Sequence, residues 1–241
     1  MTLFPEFVAT TTNFGVCGRA LRRGLIGIES IDPREFANDV HRTVDDRPYG
    51  GGPGMVLKYE PVAAAISSAR EKLPEGSKVI FLSPQGRTLN QEIAGELSEL
   101  PGLVLVAGRY EGFDERLLED FADEELSIGD YVLSGGEAAV LVVIDTVVRL
   151  LPGVLGDELS AEQDSFMDGL LDCPHYTRPE VVDDRQVPSV LLNGNHAAIK
   201  RWRLKESLGR TWLRRPDLLE ERKLTADEEV LLQEFIAERD A

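Results

Sequence analysis

The chain has 241 residues, of which 42% are hydrophobic and 29% charged, and a formal net charge of −17. That length suits one large domain, or a medium domain joined to a small one, with enough apolar residues to fill a core. The acidic balance excludes a protein that holds nucleic acid over its whole surface.

Met1–Glu6 has no basic stretch leading into a long apolar run, so no signal peptide is expected. The longest apolar stretch, Ala138 to Leu151, is broken by Asp145 and Arg149 and is too short and too charged to span a bilayer. A cytoplasmic protein is expected. Cys17 and Cys173 give neither a disulfide framework nor zinc-ribbon spacing. Cys173-Pro174-His175 is half of a metal site at most, and no metal ligands are assigned.

In chain order, the first segment with functional character is His41 to Met55. His41, Arg42, Asp45, Asp46 and Arg47 precede a glycine-rich run ending at Gly54, which reads as a loop able to lie against a flat partner. A helix is expected from Pro61 to Lys72. Val79–Leu82 and Leu103–Val106 are short apolar runs ended by turn residues and read as buried strands. Between them Thr88 and Gln91 match a capping box, followed by Leu89, Ile93, Leu97 and Leu100 at helical spacing. Strand, helix and strand make a βαβ unit and so a parallel sheet. A helix from Gly136 to Leu151 is apolar nearly all round, which suits a core or a subunit interface.

From Gly156 to about Ser165 the chain turns polar and acidic and reads as an inter-domain linker. The remainder is helical, with Asn195 as one cap and Thr225 with Glu228 as a capping box. Charge is uneven along the chain. Glu111 to Asp130 is acidic apart from Arg116, whereas His196 to Arg215 carries seven bases against Glu206 alone. An acidic chain with one basic face can bind RNA there, and a solvated helical face is the plainer alternative.

Three glycine-bearing loops stand where ligands sit in parallel α/β sheets, beyond the strand ends. They are Ser83–Gly86, Gly108–Gly112 and Ser127–Glu137. No Walker A sequence, no G-x-G-x-x-G opening a helix and no G-x-S-x-G is present, which excludes the usual nucleotide fingerprints and weakens an esterase reading.

These loops, with Asp45–Met55, Asp164–Phe166, Leu171–Pro179, Asn193–His196, Lys200–Arg203 and Gly209–Pro216, resemble the bacterial tRNA (guanine-N1)-methyltransferases over nearly the whole chain. The resemblance implies an α/β fold of SPOUT type, a parallel sheet with a deep trefoil knot, and a small helical C-terminal domain. It implies a methyltransferase domain over 1–155, a linker over 156–170 and a tRNA-binding domain over 171–241. It also implies a short apolar strand ahead of Leu3–Glu6, and here Met1 stands almost directly before that segment.

The implied reaction moves a methyl group from S-adenosylmethionine to N1 of the guanine 3′ of the anticodon in tRNA, in a homodimer whose active sites are shared between subunits. The resemblance places the general base at Asp164 and the cation that offsets charge on O6 at Arg149. Leu82, Ser83, Pro84, Gly108, Tyr110, Glu111, Ser127, Ile128, Gly129, Asp130, Tyr131, Val132, Leu133, Gly135 and Gly136 would hold the cofactor. Substrate would meet His41, Asp45, Arg47, Gly54, Asp172 and His175, and its phosphates Lys200, Arg201, Arg203, Arg210, Arg214 and Arg215. Magnesium is implied as a possible requirement, with Glu111 among the acids able to place it. The rival readings are an inactive RNA-binding module, a ribose 2′-O-methyltransferase and a dinucleotide-dependent oxidoreductase.

Overall fold

A computed structural model describes residues 1–156 and 164–240. Two compact units emerge, Met1–Gly156 and Asp157–Ala241. The expected linker acids Asp157, Glu158 and Glu162 lie outside the described residues.

The first unit opens with Met1–Leu3 extended beside a strand edge. The Ala107 amide donates to the Met1 carbonyl (3.0 Å), the Met1 ammonium to the Leu105 carbonyl (2.9 Å) and the Thr2 amide to the Ile31 carbonyl (3.0 Å). Desolvation lowers the ammonium to about 6 although Glu137 pulls the other way. Helices α1 (Pro5–Thr12) and α2 (Gly15–Arg22) follow. Strands β1 (Asp45–Asp46) and β2 (Val56–Leu57) pair antiparallel, Asp45 opposite Leu57. The glycine-rich segment is therefore the loop of a hairpin. Helix α3 (Tyr59–Glu71) begins two residues before the expected Pro61.

Strand β3 (Lys78–Thr88) lies between β4 (Leu103–Ala107) and β5 (Glu124–Ser127), parallel to both. The chain crosses from β3 to β4 through α4 (Gln91–Ser98), as the βαβ reading requires. Its cap is Asn90, whose side chain accepts from the Ile93 amide (2.9 Å). The expected capping box fails because Thr88 is still in the strand, paired with Ser127. Helices α5 (Glu115–Phe121) and α6 (Glu137–Val148) complete the unit.

Two apolar clusters fill the two faces of the sheet. Val79, Phe81, Val104 and Val106 pack with α3 and Leu117 on one side; Ile80, Leu82 and Leu126 pack with α4 and α6 on the other. This is the alternation of side chains along a strand covered on both faces. Helix α6 buries Ala139, Val140, Val143, Val147 and Val148 and exposes Ala138, Val142, Asp145 and Arg149.

In the second unit, hairpin strands β6 (Val181–Val182) and β7 (Arg185–Gln186) precede α7 (His196–Arg214), α8 (Pro216–Glu221) and α9 (Ala226–Asp240). Asn195 caps α7 by accepting from the Ala198 amide (3.1 Å). Thr225 and Glu228 form the expected reciprocal box, each side chain accepting the other's amide, at 3.2 and 2.8 Å. Leu170, Leu208, Leu231 and Leu232 form the core. Among the described residues no helix is long and apolar enough to cross a membrane.

Candidate active site

Two of the glycine-bearing loops follow the carboxyl ends of β4 and β5, and the third, Ser83–Gly86, lies within β3. Strand β3 is interrupted after Leu82: its register against β5 shifts so that both Leu82 and Arg87 lie opposite Leu126. Ser83–Gly86 is the bulge between. A β-carbon on Gly86 would run into the backbone of Glu125 and Leu126, so only glycine lets the two chains pass this closely. The Leu89 amide then donates to the Ser127 carbonyl (2.7 Å).

The loops after β4 and β5 are tied to each other. The Gly136 amide donates to the Gly108 carbonyl (2.7 Å), and a β-carbon on Gly136 would lie 2.7 Å from the Gly108 nitrogen. Arg109 spans the gap, donating from Nε to Glu137 (2.8 Å) and from Nη1 to the Ser134 carbonyl (3.1 Å). Glu137 is 1% exposed and also accepts from the Thr2 hydroxyl (2.9 Å). The Arg109 guanidinium lies 4.4 Å from the centre of the Phe4 ring. A buried carboxylate persists only when paired and hydrogen-bonded, and Glu137 is both.

Within the β5 loop, the Ser127 hydroxyl and the Gly129 backbone bond each other, and the Tyr131 hydroxyl donates to the Ile128 carbonyl (3.1 Å). Tyr131, Val132 and Leu133 are exposed at its tip, as is Tyr110 on the neighbouring loop.

The glycine-rich hairpin joins this set. The Glu111 amide donates to the Met55 carbonyl (2.9 Å) and the Leu57 amide to the Gly112 carbonyl (3.0 Å). Gly54, at φ +79°, faces the Glu111 carboxylate so closely that a β-carbon there would collide with it. His41, Asp46, Arg47 and Tyr49 are exposed and Asp45 is half-buried in β1. Arg149 stands at the carboxyl end of α6, on its exposed face.

The second unit holds a cleft of about 950 Å³, lined by Asp164, Asp172, His175, His196, Lys200 and Arg203 among others. His175 Nε2 lies 2.7 Å from Asp172. Burial raises the Asp172 carboxyl, but the bonds from His175 and the Cys173 amide outweigh it and leave the group below the usual carboxylate range. Desolvation, reinforced by Asp172, pushes the Cys173 thiol up to about 11, which makes it an inert buried thiol. Asp172, Cys173 and His175 each bring a donor atom within 4.8 Å of the others.

Along α7 the basic residues divide. Arg201 pairs with Glu234 (2.7 Å) and Arg215, just past the helix, with Asp217 (2.6 Å). Lys200, Arg203, Arg210 and Arg214 have no ion-pair partner among the described residues.

Sequence reasoning missed the Arg109–Glu137–Thr2 network, the β1–β2 hairpin and strand β5. Glu124-Glu125-Leu126-Ser127 lacks an apolar run, and the only local sign of the strand is Leu126, which is fully buried.

Known proteins now bear on this arrangement. The family tRNA (Guanine-1)-methyltransferase TrmD matches residues 1–221. The chain belongs to this family. Curated relatives named tRNA (guanine-N(1)-)-methyltransferase agree over the whole length. The Aliivibrio salmonicida protein is 59% identical over 238 residues, covering 99% of this chain and 96% of the relative. The Edwardsiella ictaluri protein is 58% identical over 241 residues, covering 100% and 95%. That of Klebsiella pneumoniae is 60% identical over 238 residues, covering 99% and 93%. The TrmD match accounts for strand-end loops that fit no dinucleotide or triphosphate fingerprint, and it removes the oxidoreductase and ribose-methylating readings.

Proposed function

We propose that this chain methylates N1 of the guanine immediately 3′ of the anticodon in tRNA, using S-adenosylmethionine, in the cytoplasm where that substrate resides. The observation that carries the reading is the match to TrmD over residues 1–221, which takes in all three strand-end loops.

The loops suit an adenosine-bearing ligand, since Gly136 lets the loops after β4 and β5 close backbone to backbone at Gly108, with Gly135 packed on the Arg109 side chain. Leu82, Ser83, Pro84, Gly108 and Ile128–Leu133 would bind it mainly through backbone groups, with Ser127, Tyr110 and Tyr131 at the rim. Glu111 would meet a positive group of the ligand or help place a magnesium ion. When bound, the cofactor would supply an electrophilic methyl carried on a sulfonium, with a neutral thioether as the leaving group. Asp164 takes the N1 proton as the N1–methyl bond forms, and Arg149 offsets the negative charge that builds on O6.

The two units divide this work. The first carries the cofactor and the subunit interface, for which exposed Phe4, Phe7, Phe14 and Val142 are the apolar surface. The second grips tRNA, with Lys200, Arg203, Arg210 and Arg214 on phosphates and His175 and Asp172 near the guanine, which must leave its stack. His41, Asp45 and Arg47 would read the flipped base or its neighbour. A deep trefoil knot of SPOUT type is part of this proposal. The tight passage of Ser83–Gly86 across β5 supports it.

Incubation with labelled S-adenosylmethionine and an unmodified tRNA transcript, followed by mass spectrometry of the nucleosides, tests the reading. N1-methylguanine at the single guanine 3′ of the anticodon is expected. Failure of a well-folded sample to bind the cofactor overturns it.

A further inference from the structure

The turn that carries Asp164 is bound to the basic helix by side chains to which nothing so far gives a role. The Phe166 amide donates to the Leu170 carbonyl (2.8 Å), closing the turn over Gly169 at φ +79°. The Ser165 hydroxyl, one residue after Asp164, accepts the Asp172 amide (3.0 Å). The next amide back, that of Leu171, donates to the Thr211 hydroxyl (2.9 Å), which itself donates to the Ser207 carbonyl (2.7 Å). Thr211 is fully buried in α7, one turn after Ser207, and Leu170 is plugged into the core beside Leu208.

Thr211 therefore uses its hydroxyl twice, once inside its own helix and once outward to the turn. Valine in its place keeps the volume and loses both bonds. Phe166 sits at φ +75°, a conformation a phenylalanine rarely adopts unless its surroundings hold it there. Its ring lies 5.9 Å from the Arg215 guanidinium at the end of α7. So the turn touches α7 at Thr211 and at Arg215, and Ser165 staples its two arms together.

We propose that Ser165 and Thr211 are positioning residues for Asp164. They make the base-bearing turn one rigid body with the helix that grips the RNA, so that phosphate contact and base placement arrive together. The inference rests on Asp164 as the base. It adds that the orientation of Asp164 is set from α7, through two hydroxyls that touch neither cofactor nor guanine. Orientation matters because a general base must reach its proton within hydrogen-bond distance, and small misplacements are costly.

The test measures kcat, cofactor Kd and tRNA Kd in the full-length enzyme for Ser165→Ala, Ser165→Thr, Thr211→Val and Thr211→Ser, with Asp164→Asn alongside. Losing one such bond is expected to lower kcat about tenfold in Ser165→Ala and Thr211→Val, with both Kd values unchanged. Ser165→Thr and Thr211→Ser keep the hydroxyl and should recover most of the rate. A wild-type kcat in Ser165→Ala and Thr211→Val overturns the inference, as does a loss that follows tRNA Kd or that the hydroxyl-retaining variants fail to restore. Inactive Asp164→Asn beside fully active Ser165→Ala defeats the positioning role alone. Active Asp164→Asn defeats the base assignment, and the inference with it.

Discussion

Under the proposed function the two units would build recognition surfaces in opposite ways. In the first, the strand-end loops offer mostly backbone, and side chains such as Arg109 and Glu137 face inward to fix the loops. In the second, the backbone is a regular helix and the chemistry stands outward on Lys200, Arg203, Arg210 and Arg214. A backbone-built site is sensitive to added atoms and to the buried pairs beneath it. A side-chain-built face is sensitive to charge and salt. The lesson is that substitutions in the two regions should fail in different measurements.

The largest effect is expected where the two kinds of recognition must serve one reaction. Asp164→Asn should lower turnover roughly a hundred- to ten-thousand-fold, the usual worth of a general base, and leave cofactor affinity intact in calorimetry. Near-normal turnover would remove Asp164 from the chemistry. Next comes the buried pair. Arg109→Met strands the Glu137 carboxylate and should cost about 3–5 kcal/mol in denaturant unfolding, with cofactor binding weakened. A variant as stable as the parent would show that the Thr2 hydroxyl and the Met1 ammonium suffice to hold Glu137.

Gly136→Ala follows. Its β-carbon meets the Gly108 backbone, so the loops must part, and a loss of about 1–3 kcal/mol in cofactor affinity is expected with tRNA binding unchanged. The reverse pattern is expected for Lys200→Ala. The slope of log affinity for tRNA against log salt should fall by about one, with the cofactor Kd constant. Equal loss of both ligands in either variant would dissolve the contrast between the units.

The smallest effect concerns acid. The carboxyls of Asp172 and Glu228 both lie below their ordinary range in the folded chain. A depressed folded value adds stability above the unfolded value, lost as pH falls through the folded one. The second unit should therefore weaken below about pH 4, near the unfolded carboxylate values. Glu228→Gln should flatten that decline in thermal melts followed across pH.

Much of the site was legible because its signals are local. An apolar run ended by turn residues marks a strand end, and Val79–Leu82 and Leu103–Val106 marked two of the three loops in this way; the third was readable only from its own glycines. Asn195 and the Thr225–Glu228 box were readable for the same reason: a cap and its partner lie within one turn. What escaped was non-local. Glu137 meets Thr2 across 135 positions, and no pattern near either residue announces it. Thr88 mimicked a cap because its spacing to Gln91 was right, yet pairing with Ser127 across the sheet kept it in the strand and left Asn90 to end it. The Ser165 and Thr211 bonds were hidden likewise, since a hydroxyl reveals its acceptor only once the chain has folded.

Both tryptophans, Trp202 and Trp212, lie on α7, with Tyr176 6.4 Å from the Trp202 ring, whereas Tyr49, Tyr59, Tyr110 and Tyr131 all belong to the first unit. The chain is thus colour-coded by its own aromatics. Indole emission watches the second unit alone, and phenol absorbance is weighted towards the first. Under the proposed function, a single unlabelled sample would therefore follow the arrival of each ligand at its own unit.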